Sequence, residues 1–160
     1  MKKNTLLLKA GQFSRDAFFV VEGCLRVYEL IDGEEKTTAF YTEHQSAVDF
    51  SSMASQRPSK KFFVCAEKTT VAILSADKEK ALYEKYPRFE KICRIGMEKM
   101  MGDNQDQFAD FVMLKPEERY EKLQQERPEL INRVPQYQIA SYLGIKPETL
   151  SRIRKRLSKN

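Results

Sequence analysis

The sequence predicts an α+β chain: an N-terminal antiparallel β-roll, then a long helix, then a C-terminal helix-turn-helix. Three observations carry this. Residues 5–75 hold six short runs rich in Phe, Val, Leu and Tyr, set apart by turn residues. Residues 87–114 run without internal proline and carry two apolar stripes. Residues 135–159 read as two short helices joined by a glycine turn.

The strand signals come first. Thr5–Lys9 ends at Ala10-Gly11. Ala17–Glu22 and Cys24–Leu30 flank Gly23, which marks a tight bend. Asp32-Gly33, between Leu30 and Lys36, is a two-residue hairpin signal. Lys36–Tyr41, Lys61–Ala66 and Thr70–Ser75 continue the series. Short strands at regular spacing predict an antiparallel roll or barrel.

The helices follow. Ala76–Tyr86 is broken by Pro87, and Pro87–Leu114 forms one long helix. Phe89, Ile92 and Ile95 make its first stripe. Cys93, Met97, Met100, Met101, Phe108 and Phe111 make its second, with Asn104 inside it. Two stripes need two surfaces: the β-roll, and the same helix of a second copy. Gly102 weakens the helix locally and is expected to mark a bend. Lys115-Pro116 is a hinge, Glu117–Glu126 a further helix, and Arg127-Pro128 an interruption.

In Gln136–Leu143, Ile139, Ala140 and Leu143 share one face. Gly144 supplies the left-handed residue at the turn, and Ile145 plugs the turn into the core. Pro147 suits the first turn of the next helix, whose inner stripe is Leu150, Ile153 and Leu157. Its outer face holds Lys146, Glu148, Thr149, Ser151, Arg152, Lys155, Arg156 and Lys159. From Arg133 to the end, seven Lys/Arg stand against one Glu, a net of +6, while the rest of the chain nets −1. Positive charge gathered on the outer helix is the electrostatic footprint of a DNA binder.

The segment YQIASYLGIKPETLSRIRKRL resembles the DNA-reading part of the Crp/Fnr family of bacterial transcription regulators. KPEERYEKL resembles the helix that opens the family's DNA-binding domain, and FFVVEGCLRVYELIDGEE resembles its sensor roll. The resemblance implies a cyclic-nucleotide-binding-type jelly roll over residues 1–86, a dimerisation helix over 87–114 and a DNA-binding domain over 115–160. It implies a homodimer on an inverted repeat of double-stranded DNA, working with RNA polymerase in the cytoplasm, and no membrane. The DNA-facing set is Lys146, Pro147, Glu148, Thr149, Ser151, Arg152, Lys155 and Lys159. Pro147 replaces the base-contacting Arg of the cyclic-AMP-responsive members. The chain also stops without the family's β wing and lacks the helix expected before the first strand, so either a natural short form or a missing N-terminus is expected.

Those cyclic-AMP members offer a Gly-Glu pair for ribose and an Arg for phosphate. Here Asp49 sits near the Glu position, Lys60 near the Arg, and Phe62 where a small residue is expected. Lysine is a point charge without the guanidinium fork, and phenylalanine would fill the nucleotide's space. No cofactor is expected and cyclic AMP is not the expected effector. Asp49, Ser51, Ser52, Lys60 and Lys61 are candidates for some other effector.

Other chemistries are poorly served. Cys24, Cys65 and Cys93 are scattered, without metal spacing or a disulfide framework. His44 is the only histidine, and no glycine-rich phosphate loop or nucleophile elbow is present, so no enzyme is legible. The competing class is a ligand-binding signalling module whose terminal helices bind protein and not DNA.

Overall fold

The structure is a computed structural model and describes residues 1–158. The chain forms two compact units, Met1–Ser75 together with the chain from Glu129 onward, and Ala76–Pro128. Each is described by itself.

In the first unit, strands β1 (Leu6–Leu8), β6 (Lys61–Cys65), β3 (Leu25–Ile31) and β4 (Glu34–Tyr41) lie in that order in one antiparallel sheet. Strands β5 (Ser46–Ala47), β2 (Asp16–Glu22) and β7 (Thr70–Ser75) form a second. Alternation along each strand builds the core between them. Leu25 and Val27 of β3, Phe63 and Cys65 of β6, and Phe18 and Val20 of β2 face inward with Leu8 and Ala47. The β3–β4 hairpin turns at Asp32 and Gly33, both at positive φ, with Ile31 opposite Glu34. That is the primed turn the dipeptide predicts.

Gly23 links β2 to β3 at φ +103°, and a Cβ there would stand 2.6 Å from the Lys68 carbonyl oxygen. Backbone strain and a backbone clash act together. Gly23→Ala is therefore expected to cost at least roughly 1–3 kcal/mol, seen as a lower urea midpoint. An unchanged midpoint would mean that the Lys68–Thr69 turn gives way.

Three elements go beyond the sequence expectation. Strand β5 is only two residues long, below what periodicity can register. Helix α1 (Phe50–Ser55) is serine-rich and lacks an apolar stripe. Helix α5 (Pro128–Arg133) begins at the proline expected to interrupt the chain. Proline fits the first helical turn, so one residue both ends the preceding helix and opens this one.

The second unit contains α2 (Ala76–Lys85), α3 (Pro87–Met113) and α4 (Pro116–Glu126). α3 runs unbroken through Gly102. Tyr83 of α2 meets Phe89 of α3 at 5.9 Å between ring centroids. At the α3–α4 corner, Arg119 donates to the Phe111 carbonyl at 2.7 Å and lies 4.5 Å over the Phe111 ring. Among the described residues no helix is long and apolar enough to cross a membrane.

Candidate nucleic-acid interface

Two helices of the first unit, α6 (Gln136–Tyr142) and α7 (Pro147–Leu157), carry the predicted site. α6 ends at Leu143, with Gly144 following at φ +69°. The Gly144 N–H donates to the Ser141 carbonyl at 3.1 Å and the Ile145 N–H to the Ala140 carbonyl at 3.0 Å. These are the two bonds of a Schellman stop, and they fix the angle at which the chain leaves the helix. Lys146 is extended and Pro147 opens α7. Ile139 and Ala140 are fully buried, and Leu150 and Ile153 nearly so. Leu157 and Ile145 are half-buried.

The outer face of α7 emerges as expected. Lys146, Pro147, Glu148, Thr149, Ser151, Arg152 and Lys155 are all exposed, while Lys159 lies outside the described residues. Among the described residues neither Glu148 nor Arg152 forms an ion pair. Arg133 is different. It counts toward the basic C-terminal segment, yet its guanidinium faces the roll. It grips Glu43 with two hydrogen bonds of 2.8 Å, and its Nε donates to Glu67 at 2.9 Å. Glu43 also accepts from the Gly23 N–H at 2.8 Å. Arg133 foremost, despite some burial, holds the Glu43 carboxyl at about 2.

α6 is clasped to the roll. Ser141 Oγ accepts from the Thr37 N–H at 2.9 Å and donates to the Glu35 carbonyl at 3.1 Å. Tyr142 meets Phe40 edge-on at 5.4 Å. Nothing in the sequence flagged Ser141 or Arg133, because their partners lie about a hundred residues away in the chain.

The candidate effector residues gather in part. Burial raises the Asp49 carboxyl, but hydrogen bonds outweigh it and leave it below the usual range. Its donors are Ser59 at 2.7 Å, Ser51 at 2.8 Å and Lys61 at 3.0 Å. Ser52 accepts from the Ser14 N–H and donates to the Arg57 carbonyl. These groups spend their hydrogen bonds tying the α1 loop together, and Lys60 is exposed outside the network. Phe62 does not enter the roll. It lies on the face opposite Phe63, stacked on Tyr28 at 4.9 Å, so it fills no space inside the roll.

Along α3, Met97, Met101, Phe108 and Phe111 are between 49% and 70% exposed. Asn104 is exposed among them, while Cys93 and Met100 are half-buried. Ile92 and Ile95 of the first stripe are exposed as well.

The family model described as "Cyclic nucleotide-binding domain" matches residues 1–86. No curated protein matches the sequence. FixK2 from Bradyrhizobium japonicum is similar at 16% identity, over 99% of this chain and 82% of that one, with a TM-score of 0.82. A cyclic nucleotide-binding domain containing protein from Listeria monocytogenes EGD-e is similar at 15% identity, over 99% and 80%, with a TM-score of 0.76. The c-di-GMP responsive global regulator CLP from Xanthomonas campestris is similar at 14% identity, over 99% and 84%, with a TM-score of 0.73. At such identities the likeness establishes the fold, an antiparallel roll followed by several helices.

Proposed function

We propose, from the premise that this chain belongs to the cyclic nucleotide-binding domain family and has the fold of Crp/Fnr regulators, that it is a DNA-binding transcription regulator. One observation supports this most. α7 is packed by Leu150 and Ile153 on one side and presents Lys146, Glu148, Arg152 and Lys155 unobstructed on the other. Helices α6 and α7 then act as a helix-turn-helix whose second helix enters the major groove.

Each side chain has a role in that groove. Arg152 forks onto guanine O6 and N7, and Glu148 accepts from a cytosine amine. Thr149 and Ser151 add polar contacts, while Lys146 and Lys155 hold phosphates. The chain works as a homodimer through α3, with two α7 helices about 34 Å apart on an inverted repeat. RNA polymerase is the partner such a regulator would influence. The effector is something other than cyclic AMP: a buried Asp49 and a lone Lys60 do not supply the ribose and phosphate contacts that nucleotide needs.

Binding to a library of operator variants at two salt concentrations tests this. Arg152→Ala should cost roughly 1–3 kcal/mol and relax preference at one base pair. Lys155→Ala should weaken all sequences alike and flatten the salt slope by about one unit. If wild type binds no DNA at any salt, the terminal helices serve a protein partner instead.

A further inference from the structure

A cleft of about 240 Å³ lies in the first unit, between the outer face of the β1–β6–β3–β4 sheet and α6. It is on the opposite side of that sheet from the roll core. Its floor is Leu6 and Val64, and Tyr28 and Tyr137 supply aromatic surface. Into this setting β3 places a guanidinium. Arg26 is 3% exposed, with Nε donating to Thr37 Oγ1 at 2.9 Å and Nη1 bonded to Glu35. Its guanidinium carbon is 4.6 Å from the Tyr28 ring centre. Nη2 has no protein partner among the described residues.

Two other lining groups are unengaged. Gln138 Oε1 is buried without a hydrogen-bond partner, while its Nε2 donates to Tyr137. The Asn4 side chain makes no hydrogen bond among the described residues. Mixed polar and apolar walls with a few convergent, unsatisfied polar groups describe a ligand site better than a packing fault.

We propose that this cleft binds a compact organic carboxylate with a flat apolar body and a hydroxyl or N–H donor. A guanidinium this buried needs an anion, and it matches a carboxylate through two parallel hydrogen bonds. Glu35 fills that need in the free protein. Its side chain is 45% exposed, so it can swing into water and yield Arg26 to the ligand. The ligand's donor satisfies Gln138 Oε1, and its flat body lies against Tyr137, since Phe62 and Arg26 already cover the Tyr28 ring. The volume is below the range of ordinary drug-sized pockets and fits a single small ring. Because Gln138 belongs to α6 and Arg26 to β3, the ligand would tie the helix to the roll, beside the Ser141 clasp on Glu35 and Thr37.

The test is calorimetric titration of the full chain, without DNA, so it stands or falls independently of the DNA-binding proposal. The probes are 4-hydroxybenzoate and the neutral 4-hydroxybenzyl alcohol. The carboxylate should bind in the millimolar range or tighter, and the alcohol should not. Glu35→Gln removes the internal competitor and should tighten the carboxylate about tenfold. The same variant should have a lowered melting temperature that the carboxylate restores. Arg26→Gln should abolish binding if it folds; Glu35→Gln keeps the test decisive if it does not. The proposal is overturned if the carboxylate binds neither protein better than the alcohol, or if Glu35→Gln leaves its affinity unchanged.

Discussion

A chain carrying Met97→Glu and Phe108→Glu is expected to run as a monomer by light scattering, while the unaltered chain runs as a dimer. Both side chains stand on the same stripe of α3, 49% and 70% exposed in the single chain. Burying each against a second copy is worth about 1.5–3 kcal/mol, and twofold symmetry counts every change twice. The pair therefore removes roughly 6–12 kcal/mol, comparable to the roughly 8 kcal/mol that holds a micromolar dimer together. Because both positions are surface positions of the single chain, the circular dichroism spectrum should not change. Operator binding should drop to that of one half-site. A folded variant that stays dimeric would put the interface elsewhere.

Replacing Arg133 with methionine has the second large effect. It leaves Glu43 and Glu67 beside each other without their shared cation. The Glu43 carboxyl is depressed in the folded chain to about 2, from about 4.5. A depressed carboxyl contributes stability that is present above its unfolded value and lost as pH falls towards its folded value. The window is thus about pH 4.5 down to about pH 2. At full strength the shift would be worth about 3 kcal/mol; with Glu43 35% exposed, screening leaves about 1–2 kcal/mol. Urea denaturation should show Arg133→Met less stable than wild type at pH 7, with the gap narrowing as pH is lowered from 6 towards 3. A gap that ignores pH would mean that Arg133 acts by packing alone. Since Arg133 faces the roll, the salt slope of DNA binding should not move.

The strands, the hairpin at Asp32-Gly33 and the Gly144 turn were legible because each depends on neighbours in sequence. Period-two alternation, a dipeptide that accepts positive φ, and a glycine stop are local signals. The exposed face of α7 was legible for the same reason: the stripe of Leu150, Ile153 and Leu157 sets which side is left outside. What the sequence hid was pairing across distance. Arg133 reads as one more basic residue until Glu43 and Glu67 are brought beside it. Asp49 reads as a ligand group until Ser59 and Lys61 use its oxygens. Phe62 and Phe63 are adjacent and identical in type, and only strand register decides which one enters the roll.

The Ser141 clasp also bears on how the chain stays apart from its copies. β4 is an edge strand, and a bare edge is a template on which other chains can add strands. Ser141 occupies the Thr37 N–H and the Glu35 carbonyl, two backbone groups such a neighbour would use. Close by, Glu34, Glu35 and Lys36 set three charged side chains in a row along the same strand. Charge at an edge repels an incoming strand, as gatekeeper residues do. One hydroxyl on the first helix of the pair thus protects the roll against aggregation, and Ser141→Ala would leave those three charges to guard the edge with less help.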